Sequence, residues 1–194
     1  MDEQIMDEQK WVETIIEDIE KSLNPFYPNL RVKSGSKLPY ASEILTYIDE
    51  NKPEQQNFIR YETDILIFEQ IDESRWKPRI IIEAKINKVT THDAITYSQK
   101  AQTHKNVHPY LRYGILIGNL KDSLPGRLFR HGKHFDFMLS WQSFKAETRE
   151  WRTLIEILKS EYEASLALDE IIFNSRSRDR EKFTSFHRPL ILKK

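Results

Sequence analysis

Apolar residues recur at helical spacing across residues 11–23, where Val12, Ile15, Ile16, Ile19 and Leu23 line one side, and this predicts an amphipathic helix. Asn24-Pro25 ends it. Residues 24–57 are rich in Pro, Ser, Asn and Gly around a short apolar stretch at 44–48, a composition that predicts loop plus one short element. Two strands follow. Residues 58–68 contain the β-branched and aromatic run Asp64-Ile65-Leu66-Ile67-Phe68, and the turn-forming QIDESRWKP separates them from Arg79-Ile80-Ile81-Ile82-Glu83-Ala84-Lys85-Ile86. Residues 91–105 predict a helix with a cap near Thr91 to Asp93, stopped by His108-Pro109. A third strand is expected at 113–118, a fourth at 135–139, and a long helix at 147–173 on the stripe Trp151, Leu154, Ile155, Leu158, Tyr162 and Leu166.

Strand, helix, strand in that order requires a crossover, so parallel or mixed pairing is expected, and the uninterrupted Ile runs suit strands covered on both faces. The fold class is therefore α/β: a layered domain with a central mixed sheet flanked by helices. Residues 1–143 form the expected core, and 144–194 add a C-terminal helix and a basic tail with Arg176, Arg178, Arg180 and Lys182. The stripe on that helix reads as core, with a dimer seam as the alternative.

At 194 residues the chain is long enough to bury one sizeable core. The absence of cysteine excludes disulfides, thiolate metal sites and a cysteine nucleophile. No apolar run approaches the roughly 20 residues of a membrane span, and the acidic start MDEQIMDEQK lacks the features of a secretory signal, so the expected location is the cytoplasm.

Net charge is zero, but the charges are segregated. Residues 1–74 carry 7 Lys and Arg against 17 Asp and Glu, and residues 75–134 carry 12 against 3, together with five of the six histidines. A basic middle third suits a polyanion, and the acidic first third supplies carboxylates to a cation beside it. Mutual neutralisation within the fold is the other reading.

The candidate chemistry is Asp64 at the head of one strand and Glu83-Ala84-Lys85 at the end of the next. Glu83 and Lys85 lie two residues apart, on one face, with Cα atoms roughly 6.6 Å apart. With Asp64 alongside, two carboxylates suit a hard divalent cation such as Mg²⁺, completed by water and phosphate oxygens. Lys85 would then orient or deprotonate an attacking water or offset charge on the phosphate, which describes a phosphodiesterase. Carboxylate-x-Lys triplets also occur at Glu8 and Glu50, about as often as shuffling this composition would produce, so the triplet alone says little. Only the one at Glu83 ends a β-branched run preceded by a strand with an Asp at its head. An ordinary cross-strand ion pair is the competing explanation.

The order helix, ETDILIF, loop, RIIIEAK, helix, RYGILIGN resembles the PD-(D/E)xK nuclease superfamily, the restriction-endonuclease-like fold. Within it, the arrangement is similar to the nuclease domain of type I restriction subunits and to compact type II restriction enzymes. The resemblance covers residues 9–140. It implies that Asp64 and Glu83 bind Mg²⁺ (or Mn²⁺ in substitution), that the Ala84 carbonyl adds a ligand, and that Lys85 is catalytic. Thr63-Asp64 stands where the family has Pro-Asp, and its Gln-xxx-Tyr helix motif is present only as Gln99 with Thr103.

Some members of that family add a carboxylate from the first helix, against the other reading that the glutamates of this helix form a solvated flank. Glu13, Glu17 and Glu20 lie at about 100°, 140° and 80° from Val12 around that helix, and Glu13 is the preferred metal ligand. DNA is expected against the same side of the sheet, with Lys100, Lys105 and Arg112 as its contacts and Arg127, Arg130 and Lys133 as further candidates. His92, His104, His108, His131 and His134 read as surface or phosphate-contacting positions ahead of a zinc site. The expected activity is Mg²⁺-dependent endonucleolytic hydrolysis of DNA in restriction or defence. Cutting two strands calls for a homodimer or a larger restriction complex. The alternatives are a structure-directed repair or recombination nuclease and a non-catalytic nucleic-acid-binding module of the same fold.

Overall fold

The computed structural model describes residues 6–174, 183–187 and 189–192. The basic residues Arg176, Arg178, Arg180 and Lys182 lie outside the described residues. Helix α1 (Glu8–Leu23) begins where Asp7 accepts a hydrogen bond from the Lys10 amide at 2.8 Å, satisfying one of the free N–H groups of the first turn. Its buried face is Trp11, Val12, Ile15, Ile19 and Leu23, as the periodicity predicts.

Residues 24–57 depart from expectation. Instead of loop with a short element, strand β1 (Leu30–Asp49) pairs antiparallel with β2 (Lys52–Gln70) as one long hairpin. The helix-like and strand-like periods fail there because the outer half of the hairpin rests on nothing: from residue 43 to 57 every residue is exposed, so no buried face imprints an alternation. β3 (Trp76–Ile86) pairs antiparallel with β2, from Ile65 opposite Ile82 onward. α2 (Thr91–Val107) then crosses over to β4 (Arg112–Gly118), which lies parallel to β3, as the strand-helix-strand order requires. Thr90 and Asp93 form a reciprocal capping box at the start of α2. The short α3 (Gly126–His131), which the sequence did not announce, leads to β5 (Phe137–Ser140), parallel to β4. α4 (Thr148–Asn174) completes the order.

The result is a mixed five-stranded sheet of order β1-β2-β3-β4-β5 flanked by helices. One face carries Ile65, Ile67, Ile80, Ile82, Ala84 and Leu116 against α1 and against Leu154, Leu158 and Tyr162 of α4. The stripe on α4 is thus core, and no dimer seam is needed to bury it. Each such fully buried side chain contributes roughly 1.5–3 kcal/mol of transfer free energy. The other face carries Leu66, Phe68, Ile81 and Tyr113, with Ile115 and Ile117 beyond, beneath α2 and α3. Gly118 lets α1 sit this close to the sheet, because a Cβ there would come within 2.5 Å of the Trp11 ring. Among the described residues, no helix is long and apolar enough to cross a membrane.

Candidate active site

Alternation along the strands decides which side chains meet α2. Ile82 and Ala84 face α1 and α4, so Glu83 and Lys85 project to the opposite side, and the register Ile65 to Ile82 sets Asp64 beside Glu83. The β2–β3 ladder ends at this point, and the Asp64 carboxylate takes over: its Oδ2 accepts the Ala84 amide hydrogen at 2.7 Å. Burial pushes the Asp64 carboxyl up, against the lowering effect of the Ala84 amide, Lys100 and Lys85.

Glu83 is almost wholly enclosed, with 1% of its side chain exposed. Its carboxylate accepts hydrogen bonds from the Tyr113 hydroxyl and from Lys100 Nζ, the latter at 3.2 and 3.4 Å to the two oxygens. Burial, then the neighbouring Asp64 charge, pushes its carboxyl up to about 7, with Lys100 and Tyr113 opposing. Two carboxylates are therefore held together at a cost that a cation relieves, and Lys100 is the cation now in contact.

Lys85 Nζ lies 2.9 and 3.0 Å from the two carboxylate oxygens of Glu8, in the first turn of α1, and 4.9 Å from the centroid of the Tyr97 ring. Burial is the largest single influence and pulls the ammonium down. The Tyr97 hydroxyl and Glu8 together outweigh it and hold the group well above its ordinary value. Lys100 lies 5.1 Å from the Tyr97 ring and 5.5 Å from that of Tyr61. Tyr97, Lys100 and His104, at positions i, i+3 and i+7 of α2, form one face of that helix over the site.

His104 is fully buried among the rings of Tyr61, Tyr113 and Tyr40, at 5.9, 5.8 and 6.3 Å. Its Nδ1 lies 3.3 Å from the Pro39 carbonyl, which can only accept, so the proton sits on Nδ1. Burial pushes its pKa down to about 4, so the ring is neutral and structural.

Asp64, Glu83 and Lys85 converge, and Lys100 joins them on Glu83. The remaining expectations change. Glu13 is exposed and accepts a hydrogen bond from Gln9 at 3.3 Å, and the α1 carboxylate at the site is Glu8. Glu20 accepts the Val32 amide at 2.7 Å and so ties α1 to β1. Lys105 and Arg112 are engaged within the fold: both pair with the buried carboxylate of Asp136, at 2.7 and 3.1 Å, and Arg112 also pairs with Glu161. A carboxylate with 1% exposure needs those cations more than solvent does. Arg127 bonds the Val89 carbonyl at 3.2 Å, Arg130 and Lys133 are exposed, and Gln99 points away as an exposed residue while Thr103 bonds its own helix backbone.

Glu8, Tyr97 and Tyr113 went unrecognised in the sequence. Glu8 carried a signal: at four residues before Val12 it falls on the buried face, but only once the helix is extended a turn before Trp11.

No protein-family model and no curated protein matches the chain. Among the described residues, no three His, Cys, Asp or Glu side chains gather so as to hold a metal by themselves. Asp64 and Glu83 nonetheless fit a hard divalent cation of the kind that takes one or two protein carboxylates and keeps several waters. Burial first, and then repulsion by Asp64, raises the Glu83 pKa, and that repulsion is what such an ion offsets.

Proposed function

We propose that this chain is a Mg²⁺-dependent DNA endonuclease of restriction-endonuclease-like fold. The reading rests on one observation: the buried carboxylate of Glu83 and the half-buried one of Asp64 sit where the β2–β3 ladder ends, with a protonated Lys85 two residues further along the same face. Asp64 and Glu83 would hold the metal, which when bound supplies Lewis acidity to the phosphate and lowers the pKa of a coordinated water. Lys85 is held as an ammonium, so it orients the attacking water and offsets phosphate charge instead of taking a proton. Tyr113 fixes one Glu83 oxygen, and the metal would take the other in place of Lys100. Water oxygen would form the new bond to phosphorus as the ester P–O bond breaks, and the proton that the water loses would pass through solvent to the departing oxygen. Arg130 and Lys133, exposed on the α3 side of the sheet, replace Lys105 and Arg112 as phosphate contacts.

Incubation of the purified protein with phage and plasmid DNA in Mg²⁺ and in EDTA, beside Asp64→Ala, tests the proposal. Discrete Mg²⁺-dependent fragments lost in the variant are expected. The closed pairs Lys85–Glu8 and Lys100–Glu83 favour a second reading, a nucleic-acid-binding module of the same fold without turnover. Salt-sensitive DNA binding with the DNA intact at saturating Mg²⁺ would select it.

A further inference from the structure

Two lysines enter the site, and they have different partners. Lys85 is committed to Glu8, whose two oxygens lie 3.0 and 2.9 Å from its ammonium. Lys100 stands on the carboxylate pair itself. Its Nζ lies 3.2 and 3.4 Å from the two oxygens of Glu83, and its charge also favours the ionised form of Asp64. It arrives from α2, across the layer from the strands that carry the carboxylates.

A carboxylate as enclosed as Glu83 stays charged only beside a cation, and without a divalent ion Lys100 is that cation. An ion ligated by Glu83 brings a second positive charge against the same two oxygens. Like charges a few ångströms apart in an enclosed site are poorly screened, so ion and ammonium exclude one another.

The ammonium also has somewhere to go. It lies 5.1 Å from the centroid of the Tyr97 ring, 5.5 Å from that of Tyr61 and 3.5 Å from the Glu62 carbonyl oxygen, and each of these attracts a cation. Tyr61 and Glu62 stand just beyond the last β2–β3 partner, where the β1–β2 hairpin continues as a free two-stranded ribbon. With 18% of its side chain exposed and a flexible four-carbon stem, Lys100 can leave Glu83 by a short movement and remain over the site.

We propose that Lys100 is a displaceable counter-ion: it holds Glu83 and Asp64 together when no divalent ion is bound, competes directly with that ion for Glu83, and so sets the ion concentration at which the site fills. The inference rests on the reading of Asp64 and Glu83 as metal ligands. A merely structural ion pair would stay in place when the ion binds.

Calorimetric titration with Mn²⁺ at pH 8 of the wild type, Lys100→Gln and Asp64→Ala gives the first readout. Glutamine keeps a hydrogen-bond donor for Glu83 without the charge. Lys100→Gln is expected to bind Mn²⁺ at least about tenfold more tightly than the wild type, and Asp64→Ala to lose binding. The second readout needs no substitution: the rate at which Lys100 is acetylated in the wild type, followed by mass spectrometry with and without Mg²⁺. Release from Glu83 is expected to raise that rate severalfold, while exposed Lys133 reacts as before. Mn²⁺ affinity no higher in Lys100→Gln, or acetylation of Lys100 indifferent to saturating Mg²⁺, overturns the inference and leaves the metal site standing wherever the wild type binds Mn²⁺ and Asp64→Ala does not. If neither the wild type nor Lys100→Gln binds the ion, the metal site and the inference fall together.

Discussion

Glu8 and Lys85, 77 residues apart, form an ion pair 2.9 Å long that carries the start of α1 across to the end of β3. Lys85 is the more enclosed of the two, with 14% of its side chain exposed against 41% for Glu8, so the pair orients the lysine more than it stabilises the fold. If Lys85 orients the attacking water, Lys85→Ala lowers the single-turnover cleavage rate at least about a hundredfold, and Glu8→Gln lowers it roughly tenfold with little change in DNA affinity. The double variant should be no slower than Lys85→Ala alone. Additive losses in a single-turnover assay would mean that Glu8 acts separately.

Tyr113 is the hydrogen-bond donor that keeps the Glu83 carboxylate in place inside the sheet. Tyr113→Phe removes only a hydroxyl, yet it leaves a buried carboxylate oxygen with one partner fewer, at a cost of about 1–3 kcal/mol. Weakened Mn²⁺ binding, read by calorimetry, should accompany that loss. Unchanged stability and unchanged Mn²⁺ affinity would show that Lys100 alone holds the carboxylate.

The parts of the fold that were legible are those whose side chains answer to a buried face. Ile65 to Phe68, Ile80 to Ile82 and Ile115 to Ile117 are covered on both sides and stand out as apolar runs, and they fix Asp64, Glu83 and Lys85 by alternation. The ribbon was illegible because its outer half touches only itself. Lys105 and Arg112 looked like free cations because their partner, Asp136, is 31 and 24 residues away and becomes their neighbour only when β4 and β5 pair. Lys100 looked the same and lies in the site, so sequence did not separate the cation on Glu83 from the cations on Asp136.

His104 makes stability fall on the acid side of neutrality. Its pKa is about 4 in the fold and near 6.5 in the open chain, so the unfolded state binds the proton first. The stabilisation is fully present above pH 6.5 and is lost as pH falls toward 4, roughly 3 kcal/mol over that window. Lys100 and His108 oppose a charge on the ring and act in the same direction. Urea unfolding of the wild type and His104→Leu at pH 7, 6, 5 and 4 isolates the effect. The advantage of the wild type should shrink steadily as the pH is lowered, and a constant difference would refute the assignment.

The buried Asp136 sets two kinds of cation apart. Arg112 has only 8% of its side chain exposed and holds both Asp136 and Glu161, while Lys105 holds Asp136 and the His134 carbonyl. Removing Arg112 leaves Asp136 short of a partner, and breaking a buried pair of this kind costs about 3–5 kcal/mol. Arg112→Met should therefore lower the midpoint of urea unfolding sharply, whatever DNA is present. Arg130→Ala and Lys133→Ala should leave that midpoint within about 0.5 kcal/mol, because neither side chain is buried. On DNA the order reverses: each exposed cation that neutralises a phosphate contributes about one to the slope of log affinity against log salt. Loss of that slope on removing Lys105, with Arg130 and Lys133 silent, would return the DNA to the face first read from the sequence.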